Sequence, residues 1–255
     1  MGNSLTLQIS HVKIGQAADG DIHQYYLTSS KFKDIRMKKS VFILALTCFL
    51  AVSLFAGLAD AAPKKIEGPW LWMIAPTEAG KGGADSTDID TLKKASGGSQ
   101  TQEGVAKNGV KAGAKCGNLY WTWGKLAPTG GNNVNDLVTK IGLGKGDVND
   151  HDSWAYVEFE AKAQKGVELQ AGSDDSIKIW LNGEVVHKNA VNRGAGDFQD
   201  KAKVNVIDGV NRLLVKVGEK GGGWSMFVGI DTTYTVVAVE PAHKLATTWA
   251  KVRNR

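Results

Sequence analysis

Across residues 153–163, apolar Ala155, Val157, Phe159 and Ala161 alternate with Trp154, Tyr156, Glu158 and Glu160, the period-of-two pattern of a strand with one face in a core. Lys165-Gly166 breaks the run, and Val167, Leu169 and Ala171 resume it. After Ser173-Asp174-Asp175-Ser176 it restarts at Ile177, Ile179 and Leu181. Asn182-Gly183 separates that run from residues 184–187, and Asn-Gly between two alternating runs signals a hairpin because both residues tolerate positive φ. Asp208-Gly209 plays the same part between residues 203–207 and 210–217; Gly221-Gly222-Gly223 precedes residues 224–230, and a last run covers 234–239. Short strands at this spacing, with almost no helix between them, predict an antiparallel sandwich or barrel and exclude a parallel α/β fold. Upstream, residues 70–74 and 119–123 are expected to be strands. Residues 85–118, polar and Gly-rich, are expected to form a long loop with at most a short helix at 88–94. Beyond Pro241, Leu245, Trp249 and Val252 fall at i, i+4 and i+7, which predicts a short amphipathic C-terminal helix whose basic end suits the helix dipole.

The N-terminal region has another character. Met37-Lys38-Lys39 is followed by an apolar run over residues 41–57 and then by Ala59-Asp60-Ala61 before Ala62, the layout of a secretory signal peptide cleaved after Ala61. The run also approaches the roughly 17 to 25 residues of a spanning helix, so an uncleaved anchor is the competing reading. Residues 1–36 read as an extension from a start assigned too early, with Met37 as the first residue. The expected division is therefore an extension (1–36), a signal peptide (37–61), a β-sandwich domain (62–240) and a helical tail (241–255). The product is expected to be exported, periplasmic or extracellular, with no membrane span after cleavage.

Composition sharpens this picture at three points. Gly accounts for 31 of 255 residues and Pro for 5, so turns rather than collagen-like repeats explain the glycine. Lys and Arg total 31 against 26 Asp and Glu, spread along the chain without the basic stripe of a nucleic-acid surface. Cys48 departs with the leader and leaves Cys116 alone, so no intrachain disulfide is available and a packed core must hold the fold. Cys116 itself reads as a small buried side chain in preference to a reactive thiol.

The segment Gly172-Ser173-Asp174-Asp175-Ser176 leading through Ile177, Ile179 and Trp180 to Asn182-Gly183 resembles the protective-antigen-type β-sandwich domain. In that family a Ser-Asp-Asp-Gly turn opens a strand ending in an Asp-Gly or Asn-Gly hairpin. More broadly, residues 70–76, this hairpin and residues 210–217 look like the galactose-binding-like jelly rolls of secreted bacterial glycan-degrading proteins, over residues 68–232. The resemblance implies an all-β antiparallel jelly-roll sandwich. By residue, it implies that Asp174 and Asp175 hold a calcium ion that in turn holds sugar hydroxyls; calcium's demand for six to eight oxygens suits two adjacent carboxylates. The chain departs from the family at Ser176, where Gly is common, and residues 189–196 do not reproduce the later ligand loop. The other reading of the two aspartates is a turn fixed by backbone N–H bonds without metal.

Further chemistry is sparse. Asp147-Val148-Asn149-Asp150-His151-Asp152 could wrap a cation, but it lacks the Gly and distal Glu of an EF-hand and reads better as a solvated turn. Trp70 with Trp72 and Trp121 with Trp123 each share a strand face and are expected in the core. Trp154 and Trp180 lie out of phase with their apolar neighbours; they are expected either as exposed sugar platforms or as residues covered by the long loops. Arg193 is a candidate for sugar hydroxyls, with an ion pair to Asp197 or Asp200 as its competing role. No G-x-S-x-G, H-E-x-x-H or Walker pattern is present, and Glu158 with Glu160 merely share one strand face. The expectation is a non-enzymatic module for a glycan or polysaccharide, assisted by calcium, with no nucleic-acid partner. The alternative is a surface structural or adhesion module that contacts protein or envelope and has no sugar site.

Overall fold

A computed structural model describes residues 63–237. The expected extension, signal peptide and C-terminal helix lie outside the described residues. The strands, in chain order, are β1 (Trp70–Pro76), β2 (Lys115–Cys116), β3 (Leu119–Tyr120), β4 (Thr122–Gly124), β5 (His151–Ala161), β6 (Gln164–Asp174), β7 (Ser176–Leu181), β8 (Glu184–Asn189), β9 (Asp200–Val206), β10 (Gly209–Glu219), β11 (Ser225–Ile230) and β12 (Tyr234–Val237). Helices are α1 (Thr91–Ala95), α2 (Gln102–Asn108) and α3 (Asn133–Lys140), with a 3-10 turn at Gly83–Ser86.

The larger sheet runs β4-β1-β5-β10-β7-β8, with β12 paired to the far half of β5, and the smaller runs β11-β6-β9. Every ladder in them is antiparallel. This is an all-β sandwich, as the alternation predicts. Trp70, Trp72, Ala155, Val157, Phe159, Ile177, Ile179, Val215 and Val217 of the larger sheet pack on Val167, Leu169, Ala171, Met226 and Val228 of the smaller one. Side chains two apart share a strand face, so each run delivers a continuous apolar surface to this layer.

Much of the opposite face of the larger sheet is covered as well. Leu71, Met73, Trp154, Tyr156, Trp180 and Leu214 form a second core with Leu92, Val105, Ala106, Cys116 and Trp121. The cover comes from the connection between β1 and β4, which folds into the 3-10 turn, α1 and α2. Asp90 caps α1 by accepting from Lys93 N at 2.9 Å, and Thr101 Oγ1 caps α2 by accepting from Gly104 N at 2.9 Å. The expectation of a long loop with one short helix is thus corrected: two capped helices form here, each too short to show a clear period. Cys116 is buried and free.

One buried ion pair pins this cover to the sheet. Lys216 Nζ lies 2.9 Å from Asp152 Oδ2 and donates to Ser86 O and Ile89 O at 2.5 and 2.7 Å. Asp152 also accepts from Ser86 Oγ (2.6 Å) and Thr91 Oγ1 (2.7 Å). Burial pushes the Asp152 carboxyl up and the Lys216 amine down, and each opposes the other's shift. Every polar atom of the pair has a partner, the condition under which buried charge is tolerated.

A carboxylate cluster at the mouth of the sandwich

β6 belongs to the smaller sheet and β7 to the larger, so the chain changes sheets at Asp174-Asp175. Asp174 pairs with Ser225 of β11, while Asp175 N donates to Gly218 O of β10 at 3.1 Å. The two neighbouring carboxylates therefore span the gap between sheets at one end of the sandwich. Their peptide bond is cis. Glu219, the residue after Gly218, ends β10 and brings a third carboxylate: ligand oxygens of Asp174, Asp175 and Glu219 all lie within 4.8 Å of one another.

The three side chains differ in how their charge is met. Asp175 accepts from Arg193 N at 3.1 Å on Oδ1 and from Lys220 N at 2.9 Å on Oδ2. Asp174, half-buried, accepts from Ala195 N at 3.2 Å. Burial and the Asp175 charge push its carboxyl up to about 6, against the pull of the Ala195 amide. Glu219 is fully buried, and neither of its oxygens has a hydrogen-bond partner. Burial, then the Asp175 and Asp174 charges, push it up to about 8; the nearby Gly221 N–H, which falls short of hydrogen-bond geometry, opposes this. Among the described residues no lysine or arginine forms an ion pair with any of the three.

Glycine lets the surrounding loops close on the cluster. At Gly223 a Cβ would stand 2.6 Å from Gly131 O and 2.8 Å from Asp174 Oδ2. At Gly83, with φ +62°, it would stand 2.3 Å from Asn192 Oδ1 and 3.1 Å from Asp175 Oδ2. The residues fit a hard divalent cation. Three clustered carboxylates supply charge and oxygen ligands, two of the oxygens are orphaned, and no thiolate or imidazole joins them. Calcium's coordination number of six to eight leaves positions for water or a ligand on the half-exposed Asp174 side.

The other candidates separate clearly. Trp154 and Trp180 are 0% and 1% exposed, with ring centroids 5.8 Å apart at 34° and Trp154 Nε1 donating to Thr91 Oγ1 at 3.1 Å. The expectation of sugar platforms is corrected: the helices between β1 and β4 cover both rings. The Arg193 guanidinium is also not offered to a ligand. It donates from Nη1 and Nη2 to Asp200 at 3.0 and 2.6 Å, and from Nη2 to Ser173 Oγ at 2.8 Å; of the two expected ion-pair partners, Asp200 is the one engaged. In the second acidic group, Asp150 accepts from Gly80 N and Gly82 N at 2.8 and 3.1 Å and fixes a turn, whereas Asp152 is buried against Lys216 instead of solvated. Glu219 escaped the sequence reading. The only available signal was an acidic residue closing an apolar strand before three glycines.

No family model matches the chain, and no curated protein matches it. Two solved structures are similar. A PA14 sugar-binding domain from an RTX adhesin shares 12% identity at a TM-score of 0.41, with 70% of this chain and 99% of that one covered. The PA14 domain of the MpAFP antifreeze protein shares 11% identity at a TM-score of 0.41, with 71% and 92% covered. At that identity and score the likeness carries no inference about a ligand. The fold and the site define a β-sandwich with a buried carboxylate cluster at its mouth.

Proposed function

We propose that this protein is a non-catalytic binding module that holds calcium between Asp174, Asp175 and Glu219 and presents it to the hydroxyls of a glycan. The observation that carries this is Glu219, whose two oxygens are buried without a partner beside two other carboxylates. A carboxylate so placed is stable at neutral pH when protonated or when a cation stands beside it. Hard oxygen ligands suit calcium, magnesium and manganese over zinc or copper, and calcium's flexible shell of six to eight oxygens suits a cluster that mixes buried and half-exposed carboxylates. The glycan rests on the resemblance of residues 172–183 to calcium-dependent sugar binders and on the half-exposed Asp174 side, where vicinal hydroxyls can complete the shell.

Hydrolysis is disfavoured by the same geometry. A glycosidase acid must touch the bond it protonates, and Glu219, a carboxyl pushed up to about 8, is fully buried and shielded from any substrate. Export, read from the leader, is part of the proposal; among the described residues no helix is long and apolar enough to cross a membrane.

The test is a glycan array probed with the purified protein in calcium and in chelator, with Asp174→Ala and Asp175→Ala alongside. Binding in calcium that is lost on chelation and in both variants is the expected result. Calcium binding by calorimetry with no glycan retained on the array favours the structural or adhesion module instead. No calcium binding at all sinks the reading.

A further inference from the structure

The loop joining β8 to β9, residues 190–199, has no regular structure, yet it supplies a donor to each aspartate of the cluster. Arg193 N donates to Asp175 Oδ1 at 3.1 Å and Ala195 N to Asp174 Oδ2 at 3.2 Å. The same loop reaches the far side of the mouth, where Asn192 Oδ1 accepts from Ala84 N at 2.7 Å. Gly194 and Gly196 flank Ala195 and bring no side chain to fix its height. Gln199 helps through Nε2 to Gly194 O at 3.0 Å and Oε1 from Ser173 N at 3.2 Å.

The strongest anchor is the Arg193 side chain. Its two-pronged contact with Asp200 at the start of β9, and its third bond to Ser173 in β6, tie the loop to two strands of the smaller sheet. Asp200 is itself fixed by Asn189 Nδ2 at 3.0 Å, and His187 Nε2 lies 3.1 Å from it. Ser173 Oγ, which receives Arg193, donates onward to Asp175 O at 2.7 Å. One residue thus grips the sheet with its guanidinium and aims Asp175 with its backbone amide. A planar guanidinium bound through two nitrogens restricts rotation in a way a point charge does not.

We propose that Arg193 is a positioning residue for the cation site: its clamp on Asp200 and Ser173 holds the Arg193 and Ala195 amides at the height that orients the two aspartate carboxylates toward a common ion. The proposal rests on the calcium reading above. It assigns Arg193 no contact with ion or glycan. The clamp lowers the cost of organising the ligands, because carboxylates already oriented lose less freedom on binding.

Calorimetric titration of the full-length protein with calcium tests it, on wild type, Arg193→Ala, Arg193→Lys and Asp200→Asn, with the chelated melting temperature of each. Arg193→Ala and Asp200→Asn are expected to weaken calcium affinity at least tenfold, and Arg193→Lys by a smaller factor because one prong is kept. The double variant Arg193→Ala/Asp200→Asn should be no weaker than the worse single, since both remove one clamp. Hydrogen exchange should show Arg193 and Ala195 amides losing protection in the variants while β11 amides keep theirs. If Arg193→Ala does not fold, Arg193→Lys decides. Wild-type binding with a variant affinity within twofold, or tighter, overturns the positioning role even where the melting temperature falls, since a purely structural residue would give that result. Absence of calcium binding by wild type overturns the calcium reading, and this proposal with it.

Discussion

Replacing Glu219 with Gln keeps the shape of the side chain and removes its charge, which separates the two things the carboxylate does. Its ordinary carboxyl pKa of 4.5 is raised to about 8 in the folded protein. Between those values the folded state holds a proton that the unfolded state releases, so without calcium the fold loses stability as pH rises from 4.5 through about 8. At 1.36 kcal/mol per unit the loss approaches about 5 kcal/mol, and about 3 kcal/mol where relaxation or water entry eases the charge. The clustered carboxyls titrate together, so this loss belongs to the group. On the proposed function calcium binds the ionised form and reverses the loss: at about 100 times its dissociation constant it would contribute about 2.7 kcal/mol, or about 5 to 10 °C in a domain of this size. Tryptophan fluorescence through thermal unfolding, in chelator and in calcium at pH 5, 7 and 9, follows both terms. Chelated Glu219→Gln should be more stable than chelated wild type at pH 9, match it near pH 5, and lose most of the calcium shift. A chelated wild type that does not weaken between pH 5 and 9, or a Glu219→Gln protein that calcium stabilises as much as wild type, refutes the reasoning.

Three further outcomes follow from the packing. Trp180→Ala should cost about 3 to 5 kcal/mol in urea denaturation and leave calcium affinity of the folded fraction unchanged; a loss of glycan binding at full stability would instead make the ring a platform. Lys216→Met strands Asp152 in the interior and should cost about 3 to 5 kcal/mol, read by the same denaturation. Gly223→Ala forces a methyl against Gly131 O and Asp174 Oδ2; it should destabilise by about 1 to 3 kcal/mol and weaken calcium binding in calorimetry.

The sandwich was legible from residue 153 onward because a period of two survives wherever one strand face meets one core. Strands β5 and β7, the turn at Asn182-Gly183, where Asn182 takes φ +54°, and the sheet change at Asp174-Asp175 all fall where the alternation breaks or restarts. The segment between β1 and β4 was legible only in part: a short helix was expected where α1 forms and strand where β3 forms, but α2 and the packing of both helices on the sheet were not. Its helices α1 and α2 hold five and seven residues, and what orders them is an apolar sheet face supplied by β1, β5, β7 and β10. The same cause misled the reading of Trp154 and Trp180. Out-of-phase aromatics point to solvent only if nothing covers the second face, and the covering residues lie some 30 to 90 positions away in sequence.

Glu219 shows why the candidate site was half legible. Asp174 and Asp175 are adjacent, but Glu219 joins them only through the pairing of β10 with β7, which sets Gly218 opposite Ser176. Along β10, two ionisable side chains three residues apart are both fully buried, and they meet opposite fates. Lys216 finds a carboxylate and two carbonyls, so its charge is satisfied by the chain itself. Glu219 finds two more carboxylates and no donor with good geometry. The same strand that neutralises one buried charge within the fold presents the other to a carboxylate cluster where a proton or a cation would neutralise it. That contrast supports the proposed cation site over a purely structural turn, because a turn fixed by backbone amides has no use for the third carboxylate.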